Sequence, residues 1–288
     1  RVPNLNRESL DYLSRLSTLV SLELVWADIR FSGPPNDPTQ SLGAPFPALR
    51  TLKLSNTSPE FILDFLSTLP PQCPLQSFHA GIQSLANHDL GAVYAALSTH
   101  LSPLALRKLQ IVSDFRRRRS HTFAHPNEIA PLYLFRNLTH LRLEPPTAFD
   151  LDDAMALDFA RSWPNLISLV LNSGQPFKTT LGCLRGFAEH CQGLSHLDIN
   201  LDASVVPLPL ESRISQNSLI VLGVGASPID DPQAVSAFLS VLFPSLGEID
   251  TSSRWGYYVT EDEESEGESH RKKWGEVEAL LQMGATGN

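Results

Sequence analysis

The chain has 288 residues, 42% apolar and 18% charged, with 22 Lys and Arg against 31 Asp and Glu for a net charge of −9. That apolar content excludes global disorder, and the negative balance argues against a nucleic-acid binder. Three cysteines, Cys73, Cys183 and Cys191, cannot make a disulfide framework, so an intracellular compartment, cytoplasm or nucleus, is expected; no apolar run approaches the length of a membrane span.

Along the chain, residues 6–16, with Leu10, Leu13 and Leu16, read as the helix of a partial repeat over 1–18. Its strand would lie upstream of Arg1, and a first residue other than Met suggests a fragment of something longer. A short apolar pattern then recurs nine times: Leu19-Leu22-Leu24, Leu49-Leu52-Leu54, Leu75-Phe78-Ala80, Leu106-Leu109-Ile111, Leu138-Leu141-Leu143, Leu166-Leu169-Leu171, Leu194-Leu197-Ile199, Leu219-Leu222-Val224 and Leu246-Ile249-Thr251. Its last members alternate with polar neighbours, a period of two that predicts strands with the leucines on one face.

Between these strands the period lengthens to that of a helix. Phe61, Ile62, Phe65, Leu66 and Leu69 follow it, as do Leu90, Val93, Tyr94, Leu97 and Leu101. So do Leu151, Met155, Phe159 and Trp163; Leu181, Leu184, Ala188 and Cys191; and Ala234, Val235, Phe238, Leu239 and Leu242. Ser58 before Pro59, Asp150, and Asp231 before Pro232 are the expected N-caps. Phe46-Pro47-Ala48-Leu49, Trp163-Pro164-Asn165-Leu166 and Phe243-Pro244-Ser245-Leu246 share one layout. Proline there ends the helix and pushes the residue before it towards an extended backbone, while that aromatic plugs the gap before the next strand. Residues 256–273 form an irregular acidic insert, expected to be disordered, containing the run Glu261–Glu268 followed by Arg271-Lys272-Lys273. A capping helix over 274–282 follows, with Val277, Leu280 and Leu281.

Successive patterns are 25 to 32 residues apart, about 28 on average and within the range of leucine-rich repeats. The expected fold is therefore α/β, one solenoid over 1–288: a right-handed β–α superhelix with about nine parallel strands on the concave face and helices on the convex face.

Motifs for chemistry are weak. Gly223-Val224-Gly225 follows a strand as a dinucleotide-binding turn would, but Pro228 occupies the third glycine position, and a repeat turn is the simpler reading. Cys183, His190, Cys191 and His196 lack the tight paired spacing of structural zinc, and the two cysteines fall on an apolar helix face. No nucleophile elbow or zinc-protease helix occurs, so no catalytic residue, metal or cofactor is expected. Arg116–Arg119, flanked by Phe115, His121 and Phe123, is read as a solvated loop, with a localisation signal, an RNA contact or an acidic-partner dock as its functional alternatives.

The concave face is the better candidate. Residues alternating with the leucines must point away from the core, giving the row Glu23, Lys53, His79, Gln110, Arg142, Val170, Asp198, Gly223 and Asp250. Beside it lie Trp26, Asn56, His140, Glu144, Asn172, His196 and Asn200. The predicted partner-binding set is Glu23, Trp26, Lys53, Asn56, His79, Gln110, His140, Arg142, Glu144, Asn172, His196, Asp198 and Asn200. Mixed charges of this kind suit a folded protein partner better than a uniform polyanion.

Repeats of this length resemble ribonuclease-inhibitor-like leucine-rich repeats. The uneven steps, the proline-marked strand starts and the Arg254-Trp255…Lys273-Trp274 tail around an acidic insert resemble the substrate-binding half of fungal F-box proteins with leucine-rich repeats. The asparagine that many such repeats carry after the strand is replaced here by Ala27, Thr57, Asp114, Gly174 and Asp202, among others. The resemblance implies a protein-interaction module, the substrate-recognition region of a ubiquitin-ligase receptor. It would be a monomer, with a protein substrate on the concave face and a ligase adaptor docked through an F-box preceding Arg1. The alternatives are a repeat scaffold with no ubiquitin link and a GTPase-activating repeat protein, in which Arg30 would supply charge to the reaction.

Overall fold

Strands form where the apolar pattern alternates, and helices where its spacing lengthens. The structure, a computed structural model, describes residues 7–25, 45–83, 90–113, 123–124, 126–144, 148–171, 177–208, 214–252 and 261–286. In chain order its elements begin with α1 (Arg7–Ser14), β1 (Ser21–Val25), β2 (Thr51–Thr57), α2 (Pro59–Ser67), β3 (Ser77–Ile82), α3 (Gly91–His100) and β4 (Lys108–Ser113). Then come β5 (Phe123–Ala124), α4 (Pro126–Ile129), a 3-10 turn (Ala130–Leu134), β6 (His140–Glu144), β7 (Ala148–Phe149), α5 (Asp153–Ser162), β8 (Ser168–Leu171) and α6 (Cys183–His190). The last are β9 (His196–Asp198), β10 (Val221–Gly223), α7 (Pro232–Leu242), β11 (Glu248–Asp250) and α8 (Glu261–Thr286). The chain is an α/β protein with parallel strands, divided into two compact units: Arg1–Phe115 with Asn127–Leu138, and Arg116–Pro126 with Thr139–Asn288.

In the first unit β1, β2, β3 and β4 pair in parallel, with Leu22, Leu52, Phe78 and Leu109 in one register row and Leu24, Leu54, Ala80 and Ile111 in another. All eight are buried. The helix α2 adds Phe61, Ile62, Phe65 and Leu66 to the buried set, and Phe65 meets Phe46 at a ring separation of 5.8 Å. Its N-cap is Ser58, whose Oγ accepts from the Phe61 amide at 3.3 Å, and Pro59 starts the helix, both as expected. Asn56 has a φ of 54°, beside a register shift between Leu54 and Thr57; asparagine is among the few side chains that tolerate this left-handed backbone.

The second unit repeats the scheme with β6, β8, β9, β10 and β11. Leu141, Leu169, Leu197, Leu222 and Ile249 form one buried register row. A second band of parallel pairing involves the stretches between strand and helix: β5 with β7, and single bridges Asp152–Lys178, Thr180–Asp202 and Ala203–Ile229.

Seven of the strands are started by the same local device. One carbonyl accepts from two successive amides of the next strand: Val20 from Arg50 and Thr51, Arg50 from Gln76 and Ser77, and Gln76 from Arg107 and Lys108 in the first unit. In the second unit Thr139, Ile167, Ser195 and Ile220 do the same for Ile167–Ser168, Ser195–His196, Ile220–Val221 and Gly247–Glu248. Upstream of this point a tight turn closes back on a buried plug residue, Phe46, Phe135, Trp163, Cys191 or Phe243. The aromatic plugs expected before proline are therefore present, but proline is dispensable: Phe135 and Cys191 make the turn without it. The expected extended backbone fails at Phe46, whose φ is 53°, although Trp163 and Phe243 accept the same turn hydrogen bond with φ of −125° and −132°.

Two further expectations are corrected. The cap of α5 is Asp152, not Asp150: Asp152 Oδ1 accepts from the Met155 amide at 2.8 Å, while Asp150 pairs with Lys178 Nζ at 2.8 Å. The acidic run is helical, since α8 extends from Glu261 to Thr286 instead of starting at Trp274. Trp274, Val277 and Leu281 bury the helix against its unit. Trp274 Nε1 donates to the Ser227 carbonyl at 2.9 Å, and Glu278 Oε1 accepts from the Ile249 amide at 3.3 Å. The last strand thus has its outer edge occupied by α8, which is how an unpaired edge is protected.

Candidate functional site

The residues between the buried leucines line up in register. In the first unit Glu23, Lys53, His79 and Gln110 are successive partners across β1 to β4. In the second unit Arg142, Val170, Asp198, Gly223 and Asp250 are successive partners across β6 to β11. His140 and His196 belong to a parallel row with Ser168, Val221 and Glu248. Register follows from the leucines: a slip of one residue would turn every leucine to the other face.

Two neighbouring pairs in the first-unit row contact one another, and in the second unit the contacts run along the chain. Lys53 Nζ lies 3.0 Å from Glu23 Oε1, both side chains well exposed. His79 Nδ1 and Gln110 Oε1 are 2.9 Å apart, and His140 Nδ1 is 3.0 Å from Thr139 Oγ1. Arg142 donates from Nε and Nη2 to Glu144 Oε2, each at 2.5 Å. Gly223 has a steric reason to lack a side chain, since a Cβ there would stand 2.8 Å from Asp198 Cγ.

Not every expected residue is outward. Glu144 is only 5% exposed and Asn200 only 7%. They lie at or just beyond the strand ends, where the second band of pairing covers the backbone. There polar groups serve the turns: Thr179 Oγ1 donates to the Asn200 carbonyl at 2.8 Å, and Ser227 Oγ accepts from the Leu201 amide at 3.0 Å. Asn56 is half-buried at its left-handed position. Trp26, Asn172, Arg30 and Arg116–Arg119 with Phe115 and His121 lie outside the described residues, as do Arg254 and Trp255.

Sequence reasoning also missed residues. Ile167 and Ile220, just ahead of β8 and β10, are exposed although large and apolar; inside an apolar-looking stretch nothing marks them as outward. Gln216 is buried and knits one turn together, donating to the Leu194 carbonyl at 2.7 Å and accepting from the Leu219 amide at 2.8 Å. No sequence signal singles out one glutamine for that role.

The atoms of the weak chemical motifs are already engaged elsewhere. The amides of Val224 and Gly225 both donate to the Asp250 carbonyl, so this turn is spent on the strand ladder and does not cradle a phosphate. Cys191 Sγ is 3.4 Å from the Ala160 carbonyl, and burial pushes its thiol up to about 12. Burial likewise raises Cys183 and Cys73, which are free thiols. These are packing groups, not nucleophiles. Among the described residues no group of three or more His, Cys, Asp or Glu is placed to hold a metal, and no helix is long and apolar enough to cross a membrane. Set against known proteins, the chain matches no protein-family model and no curated protein.

Proposed function

We propose that the chain is a leucine-rich-repeat solenoid, a right-handed β–α coil with strands inside and helices outside, whose work is to bind another protein on its strand face. Its role in the cell is the substrate-recognition region of an F-box-type ubiquitin-ligase receptor, in the cytoplasm or nucleus. The observation that carries the binding reading is the repeated strand start: seven carbonyls, three in the first unit and four in the second, each receive two amides of the following strand. A repeat built this way sets its outward residues in straight rows, and such rows form the broad surface by which stacked repeats hold partners. The ubiquitin link is supported by the resemblance in repeat spacing and proline-marked strand starts, with the ligase adaptor held by a helical segment ahead of Arg1.

Mass spectrometry of complexes purified under native conditions from cells making the natural full-length protein tests this. Cullin-ligase subunits are expected among its partners. Their absence, with other partners retained, would leave a repeat scaffold without ubiquitin chemistry.

A further inference from the structure

The middle of α8 is fastened to the second unit by polar contacts to one turn. The Ile229 peptide is held at both ends: its amide donates to His270 Nδ1 at 3.3 Å, and its carbonyl accepts from Lys273 Nζ at 2.9 Å. Two residues earlier the Ser227 carbonyl accepts from Trp274 Nε1. Gly267 packs closely on the same turn, since a Cβ there would stand 3.5 Å from Ala226 Cβ. A ring nitrogen that accepts from an N–H holds no proton, so docked His270 is the neutral tautomer with its hydrogen on Nε2. Of the three hydrogen bonds only this one needs an unprotonated nitrogen. A proton added at Nδ1 sets N–H against N–H and places a positive charge one turn from Lys273.

The charged groups around the ring do little to offset that. On α8 they are Glu266, one turn back and exposed, Lys273, and Arg271, which lies 3.7 Å from Glu268. On the facing turn Asp230 is 3.9 Å from Lys273, and Asp231 Oδ1 already accepts from the Gln233 and Ala234 amides. The helix α7 carries no charged side chain within Pro232–Leu242. Strand β11, with Glu248 and Asp250, meets α8 two turns further on, where the Ile249 amide donates to Glu278. An exposed pair between a protonated His270 and Glu266 is worth little.

We propose that this contact makes α8 a pH-sensitive cap, docked while His270 is neutral and loosened when its ring takes up a proton. Acid then bares the Ser227–Ile229 turn and the outer edge of β11. The sign follows from linkage: a state that needs the neutral ring is favoured above the titration range of imidazole and loses ground as pH falls through it. A free imidazole titrates near about 6.5, so from about pH 7.5 to about pH 5.5 the undocked state gains up to about tenfold. Trp274, Val277 and Leu281 still hold the helix by burial, so the effect is more frequent opening rather than complete release.

Native-state hydrogen exchange followed by NMR on the full chain, corrected for the intrinsic rate at each pH, tests this. The Ile229 amide and the Trp274 indole N–H should open about tenfold more often at the lower pH, in step with the titration of the His270 ring. The Ile220 amide, which donates to the Ser195 carbonyl at 2.9 Å, should keep its protection. His270→Asn, whose Oδ1 takes the place of Nδ1 without titrating, should make opening at Ile229 independent of pH, whatever its absolute level. A His270 ring that titrates while Ile229 protection stays constant would overturn the proposal. So would the same acid response in His270→Asn, or an equal loss of protection at Ile220, which marks general unfolding.

Discussion

Leu169→Ala separates the two sides of a strand in one experiment. Leu169 has no exposed surface and sits in register between Leu141 and Leu197. Truncating it removes buried methyl groups and leaves a cavity the neighbouring rows cannot fill, a loss of about 2–5 kcal/mol. For a unit of this size each kcal/mol moves the midpoint by about 2–4 °C, so a fall of roughly 4–20 °C is expected. Its neighbour Val170 is half-buried in the outward row, and Val170→Ser should cost less than about 1 kcal/mol. Thermal melts followed by circular dichroism give the two midpoints. Hydrogen exchange then reads the amides of Ser195 and His196, which donate to the Ile167 carbonyl at 2.9 and 3.1 Å; they should lose protection in Leu169→Ala and keep it in Val170→Ser. Equal midpoints for the two variants, or a larger fall for Val170→Ser, would mean that the alternation of buried and outward residues is assigned the wrong way round.

Aspartate at Leu141, 1% exposed, buries a charge without a partner; the second unit should fail to give a cooperative melt under conditions where the parent does. Trp274→Ala should cost about 3–5 kcal/mol and, by releasing α8, expose the Ile249 amide to exchange, since Glu278 would no longer reach it. Asp152→Ala should lose about 1 kcal/mol as an N-cap, whereas Asp150→Ala, breaking an exposed pair with Lys178, should stay within about 0.5 kcal/mol; the opposite ranking in urea titrations would reinstate Asp150 as the cap. Cys191 is held neutral in the folded chain up to about 12, while an unfolded thiol ionises near about 8.5. The unfolded state therefore gains by losing its proton first, and stability should fall as pH rises from about 8.5 towards 12. Alkylation of Cys191 by iodoacetamide at neutral pH should require unfolding, and rapid native labelling would contradict the burial.

Much of the architecture was legible in the residue order because it depends on period alone. Leucines spaced by two or three positions, returning every 25 to 32 residues, define where strands form and which side is buried, and the Ser58 and Asp231 caps announce two helix starts. The candidate face was legible to the same extent: whatever alternates with a buried leucine must be outward, and Glu23, Lys53, His79 and Gln110 stand in one register row. The rest depends on neighbours far away in sequence. Glu144 and Asn200 are buried because a second band of pairing lies beyond the strand ends, and no local pattern encodes that cover. The acidic run of α8 looks too charged to fold, yet its helix is anchored by Trp274 reaching the Ser227 carbonyl across 47 positions of chain. The choice of Asp152 over Asp150 came down to which carboxylate met the Met155 amide and which met Lys178. Periodicity records which atoms avoid water; which polar atoms meet one another is decided only when distant turns are brought together.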